Sequence, residues 1–144
     1  MLTGEYSHSI DAKGRLIIPS RIREELGDEF AVTKGLDGCL LLYPEDSWED
    51  FAGRLQALPA ATNAAARKVQ RFFLGSALTT EFDKQGRILL PAKLLEFAGL
   101  SKEAVIVGMG NHAEIWDPVK YEEFNSDDDI DSIAENMGDL GLRF

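Results

Sequence analysis

One cysteine and two histidines among 144 residues leave little for metal or thiol chemistry to work with. A lone thiol cannot close a disulfide within the chain or build a thiolate zinc set. Cys39, inside C-L-L-L-Y, reads as a small buried hydrophobe in a reducing compartment. His8 and His112 do not belong to H-x-x-x-H, so no metal and no cofactor are expected. The chain also lacks a basic-then-apolar leader and any apolar run approaching roughly 18 residues, which predicts a cytoplasmic protein with no membrane partner. There is no phosphate-cradling G-x-x-x-x-G-K-[ST]. The G-M-G-N-H-A stretch around Gly108 lacks the last glycine of a dinucleotide loop. Nothing positions Ser7 or Ser20 as a nucleophile, so the expectation is a protein that is not an enzyme.

Basic residues are also scarce, 15 Lys and Arg against 25 Asp and Glu, for a formal charge of −10. Such a balance argues against nucleic acid until its distribution is considered. Residues 114–144 hold ten acidic and two basic side chains, which leaves −2 on residues 1–113. In that larger part Lys13, Arg15, Arg21 and Arg23 gather, as do Arg67, Lys68 and Arg71. Weak long-range repulsion is compatible with a local cationic face that grips DNA, and equally with ordinary solvated charge.

The chain does have a repeat. Residues 11–27, D-A-K-G-R-L-I-I-P-S-R-I-R-E-E-L-G, return 72 positions later at 83–99 as D-K-Q-G-R-I-L-L-P-A-K-L-L-E-F-A-G, with six identities. Repetition at this spacing marks two copies of one small structural unit. Neither copy is long enough to bury a good core alone, which predicts that they fold together. Each reads as a turn, a short strand ended by proline, and a helix stopped by glycine.

In the first copy, strands are predicted over 5–10 and 15–18, and a helix over 21–26 with Ser20 as N-cap and Gly27 as stop. Strands over 31–33 and 39–43 flank G-L-D-G. The second copy repeats the order: strands over 77–82 and 87–90, a helix ended by Gly99, and strands over 104–107 and 113–116. Between them Trp48, Phe51, Leu55 and Leu58 recur at helical spacing, Pro59 ends that helix, and Asn63 opens another bearing Val69, Phe72 and Phe73. Phe72 and Phe73 suit either the core or a contact between subunits. A further helix is predicted over 118–124. The tail from 126 carries four aspartates within 127–131 and reads as a mobile acidic segment. The alternative is a short helix through Ile130, Ile133 and Met137.

The repeated D-x-x-G-R is the one carboxylate pattern. Asp11 and Asp83 can each accept backbone N–H bonds across their own turn, while Gly14 and Gly86 permit positive φ. The turn then delivers Arg15 or Arg87 to a defined edge, where a guanidinium can bind a phosphate or guanine O6 and N7. An internal Asp–Arg ion pair that only pins the hairpin is the other reading. DNA contact is favoured for Arg15, which has Lys13 and Arg23 for neighbours. For Arg87, beside Gln85 and Leu95, the two readings stand level.

D-A-K-G-R-L-I-I-P-x-x-I-R, then C-L-L-L-Y-P-x-x-x-W, Q-R-F-F-L-G, D-x-Q-G-R-I-L-L-P and E-I-W-D together resemble the bacterial MraZ family. The resemblance runs from about Glu5 to Trp116 and on toward Phe124. It implies a mainly β fold with helices, a double swapped-hairpin AbrB-like β-barrel formed by two tandem SpoVT–AbrB units with an inserted helical pair. Units are then expected over 5–50 and 77–124, the helical insert over 51–76 and the acidic tail over 125–144. The resemblance also implies a ring oligomer. The function implied is a nucleoid-associated transcription regulator that binds short direct repeats in double-stranded DNA, upstream of its own gene and of the division and cell-wall gene cluster. The family's D-x-x-x-R pattern matches Asp11 with Arg15 and Asp83 with Arg87, and Lys13 and Arg23 match further basic positions common in the first copy. DNA contact is therefore expected at Lys13, Arg15, Arg23 and Arg87, and a structural turn role at Asp11, Gly14, Asp83 and Gly86. Leu95 departs from a commonly basic position in the second copy, and Ala113 from an aromatic one. The alternative function is an antitoxin-like interaction module whose acidic tail engages a protein partner.

Overall fold

Eight strands alternate with six α-helices in the computed structural model, which describes residues 1–126 and 129–144. Asp127 and Asp128, two of the four tail aspartates, lie outside the described residues. The first unit contributes β1 (Glu5–Ser9), β2 (Arg15–Ile17), α1 (Ser20–Leu26), β3 (Glu29–Lys34) and β4 (Leu40–Pro44), with a 3-10 turn at Leu36–Gly38. The insert is α2 (Glu45–Gln56) and α3 (Ala64–Leu74). The second unit follows with β5 (Leu78–Glu81), β6 (Arg87–Leu89), α4 (Ala92–Ala98), β7 (Glu103–Gly108), β8 (Ala113–Trp116) and α5 (Pro118–Asn125). In the tail, α6 (Ile130–Glu135) leads into a 3-10 turn at Asn136–Leu140.

The two units are built through each other. Six strands form one antiparallel sheet in the order β1-β7-β8-β4-β3-β5, so β1 of the first unit pairs with β7 of the second, and β5 of the second with β3 of the first. At the centre β4 meets β8, one hairpin from each unit, with Leu41 opposite Glu114. The remaining strands, β2 and β6, pair only with each other, and Leu16 lies opposite Ile88, its equivalent 72 positions on.

The expected β-barrel is corrected by this topology. Neither sheet closes: β1 and β5 stand at opposite edges of the six-stranded sheet and do not pair among the described residues. A barrel would need the ladder to continue through β2 and β6, but the tight turns after Ile10 and Phe82 lift those strands off to form a separate ribbon. With six α-helices among the described residues, the fold is mixed α/β and not mainly β.

Burial explains the sequence of the central strands. Val32, Leu40, Leu42, Ile106 and Ile115 join Leu16, Ile18, Ile88 and Leu90 in one core. Ala31, Leu41, Tyr43, Val105 and Trp116 join Leu55, Phe73 and the Cys39 side chain in a second core. A strand covered on both faces has no polar side to show, and L-L-L-Y is accordingly unbroken. Burial pushes the Cys39 thiol up to about 12, with the Glu114 carboxylate adding to the shift, which makes it unreactive.

Several local details differ from expectation. Pro19, not Ser20, occupies the N-cap of α1 and makes no side-chain cap bond; Pro91 does the same for α4. Proline's φ near −60° leads naturally into a helix. Leu58 falls beyond the end of α2 and Val69 is exposed, because the buried side of α3 runs through Ala66, Gln70 and Phe73. Gln70 Nε2 donates to the Leu55 carbonyl at 2.8 Å, joining the two helices of the insert. Asn63 does cap α3, accepting from the Ala66 N–H at 3.0 Å. Phe73 is core, and Phe72 is half-buried against it with ring centroids 4.9 Å apart.

Candidate nucleic-acid interface

The β2–β6 ribbon and its two turns gather most of the residues singled out from the sequence. In the first turn, Asp11 Oδ1 accepts from the backbone N–H groups of Lys13 (3.0 Å) and Arg15 (2.9 Å), and Oδ2 accepts from Arg15 Nε at 2.6 Å. In the second, Asp83 Oδ1 accepts from Gln85 and Arg87 N–H at 2.9 Å each, and Oδ2 from Arg87 Nε at 2.8 Å. Gly14 and Gly86 take φ of 82° and 75° at the corners, a region that side chains with a Cβ rarely occupy. Donation to the charged form holds both carboxyls below their ordinary range. The Arg15 backbone N–H is the largest cause for Asp11 and the Arg87 N–H for Asp83, with the guanidinium of the same arginine adding to each.

Period-two geometry then sorts the ribbon. Leu16 and Ile88 point down and are fully buried, while Arg15, Ile17, Arg87 and Leu89 share the opposite face. Ile17 and Leu89 are 42% and 57% exposed, unusual for aliphatic side chains on a two-stranded ribbon. Each arginine sits opposite an aliphatic residue of the other copy, Arg15 with Leu89 and Ile17 with Arg87. The ribbon continues into the turns through Ile18 N–H to Gly86 O (3.1 Å) and Leu90 N–H to Gly14 O (2.9 Å).

The two arginines are not equivalent. Arg15 is tied to one carboxylate, whereas Arg87 faces two: Asp83, and Asp11 Oδ2 at 3.6 Å from its Nη1. The Arg87 side chain is also the less exposed, 22% against 34%. Lys13 projects from the first turn and is exposed. Arg23 is half-buried: its Nη1 donates to the Ile18 carbonyl, and its guanidinium lies over Gly86, where a Cβ would meet Nη1 at 2.6 Å. Its equivalent, Leu95, lies over Gly14 in the same manner. These cross-copy contacts were not visible in the sequence, because they depend on which copy each helix leans against. The Arg–apolar–apolar alternation in R-L-I and R-I-L did carry a signal for Ile17 and Leu89, since residues i and i+2 of a strand share a face.

Among the described residues no three His, Cys, Asp or Glu side chains converge as a metal site, and no helix is long and apolar enough to cross a membrane. The ribbon instead presents a narrow antiparallel pair with two oriented guanidinium groups and apolar side chains between them. That is a shape and chemistry that a DNA major groove admits.

Comparison with known proteins agrees with the repeat. A family profile described as "MraZ protein, putative antitoxin-like" matches the chain twice, over residues 1–72 and 73–141. Proteins named Transcriptional regulator MraZ are similar along their whole length. The one from Lachnoclostridium phytofermentans is 49% identical over 144 residues, covering 100% of both chains. Those from Alkaliphilus oremlandii and Moorella thermoacetica are each 49% identical over 144 residues, covering 99% of this chain and 100% of the relative. A profile matched twice in tandem and relatives alike from end to end establish that this chain belongs to the MraZ family.

Proposed function

We propose that this chain is a sequence-specific DNA-binding transcription regulator, not an enzyme, and that it reads DNA with the β2–β6 ribbon. The observation that carries this reading is the shared exposed face of Arg15, Ile17, Arg87 and Leu89, with each arginine oriented by a turn aspartate through its Nε. Held only at Nε, Arg15 keeps both terminal nitrogens for bidentate contact with guanine, whereas Arg87 shares Nη1 with Asp11, and the aliphatic neighbours suit thymine methyl groups. Lys13 adds a phosphate contact from the first turn. Arg23 holds the second turn in place and turns its remaining donors toward the backbone of the duplex.

The relatives' name, transcriptional regulator, supports the same reading. Its finer parts come from the family resemblance: short direct repeats upstream of the chain's own gene and of the division and cell-wall cluster, a cytoplasmic nucleoid-associated location, and a ring oligomer. One ribbon on an acidic chain makes few contacts. A ring raises the effective concentration of the next ribbon at the next repeat once the first is bound. Fluorescence anisotropy with a duplex of the chain's own upstream region tests the proposal. Saturable binding that a scrambled duplex of equal length does not reproduce is expected, and equal affinity for both would overturn it.

The family's antitoxin-like description and the exposed Ile130, Leu140 and Leu142 of the acidic tail favour a second reading, a protein-binding module. A chain truncated after residue 125 separates the two. Intact duplex binding assigns the tail to something other than DNA reading.

A further inference from the structure

We propose that the cationic cleft where β3, α3 and α4 meet is a phosphate-binding site. It is an open cleft of about 380 Å³, and Lys34 of β3 with the exposed Arg71 of α3 and Lys93 of α4 line it without a single carboxylate. None of the three makes an ion pair among the described residues, although the chain has 25 acidic side chains to draw on. Lys34 is drawn inward over the Phe97 ring, with Nζ 4.9 Å from the centroid. Three cations from three elements line one cleft, and a multiply charged anion seated there can accept from all three.

The position supports a ligand site as well. The cleft lies at the junction of the first unit, the insert and the second unit, the kind of seam where ligand pockets concentrate. Its floor is built. Ser76 Oγ donates to the Phe72 carbonyl and sits 3.1 Å from Thr33 Oγ1, itself the one buried polar residue among those described. With that hydroxyl proton already engaged, recognition falls to the three cations. Leu78 and Leu94 give the cleft an apolar wall, against which the body of an organic phosphate would pack. Two sources could supply the phosphate: a free phosphorylated compound, or the backbone of bound DNA.

The test uses the full chain without DNA, so it stands apart from the ribbon's proposed role. Inorganic phosphate is titrated at constant ionic strength against a chloride control while the Gly75 and Ser76 amide resonances are followed. Saturable shifts with phosphate, roughly tenfold or more weaker with chloride, are expected from a site that selects a dianion. An Arg71→Gln/Lys93→Gln variant should lose the saturation, whereas Arg71→Lys/Lys93→Arg should keep it. Equal responses to the two anions, or saturation that survives the glutamine pair, would overturn the proposal. A salt titration of duplex binding then distinguishes the sources. If DNA supplies the phosphate, the glutamine pair lowers the salt slope by about 2; if a free compound does, the slope is unchanged while the phosphate response is lost.

Discussion

Arg15 and Arg87 are the same residue of the same motif, yet their surroundings predict different contributions. Arg87 shares its guanidinium between Asp83 and Asp11, while Arg15 answers to Asp11 alone and is the more exposed. Arg15→Ala is expected to weaken specific duplex binding by about 1–3 kcal/mol per site, the value of a good bidentate base contact. Arg87→Ala is expected to cost less, and anisotropy titrations showing equal losses would contradict the asymmetry. The aspartates predict an acid limb. Both carboxyls are held below their ordinary range in the folded chain, so their stabilisation is present above the unfolded value of about 3.9 and is lost as pH falls through the lower folded values. Asp11→Asn should flatten the fall in melting temperature below about pH 4, and an unchanged acid limb would remove that role. The glycines make a sharper pair. A Cβ on Gly14 would meet the Leu90 carbonyl oxygen at 2.8 Å, but on Gly86 it would meet the movable end of Arg23. Both substitutions carry the positive-φ cost of about 1–2 kcal/mol, and Gly14→Ala should melt at the lower temperature of the two.

At the scale of elements, the ribbon stands or falls with what lies beneath it. Leu16 and Ile88 are fully buried and face each other across β2 and β6. Ile88→Ala is expected to cost about 2–5 kcal/mol, measured by denaturant unfolding, and to weaken DNA binding through loss of the ribbon's shape. A small loss would mean that the surroundings collapse into the space. The elements themselves were largely legible in the sequence. The D-x-x-G-R turns, the prolines ahead of α1 and α4, the glycine stops and the Asn63 cap act within a few residues, so a local reading finds them. Leu58 and Val69 were misread for other reasons. Leu58 lies past the end of α2, which stops at Gln56, ahead of Pro59; for Val69, helical spacing identifies a stripe, but the neighbour that covers it decides which of two adjacent stripes is buried.

Over the whole molecule, exchange of strands makes the units interdependent. Each unit's leading strand pairs with the other unit's hairpin, so fragments 1–76 and 77–144 should each lack a cooperative melt. Mixed together, they should recover one. A fragment that melts cooperatively alone would show that the exchange is dispensable. Assembly belongs to this scale too: sedimentation at micromolar concentrations is expected to show multi-subunit species, and a monomer throughout would remove the avidity on which the proposed mechanism depends.

The sequence by itself determined that two copies exist, where each turns, and which strands carry the arginines. Those properties are written in turn chemistry and short-range periodicity. Only the tertiary structure decided which strand pairs with which, that the six-stranded sheet stays open, that Arg23 and Leu95 each lean over the other copy's turn, and that Lys34, Arg71 and Lys93 line one cleft. Copies this similar offer nearly the same local pairing choices. Selection among those choices rests on burial summed over the whole core, which no single window of sequence contains.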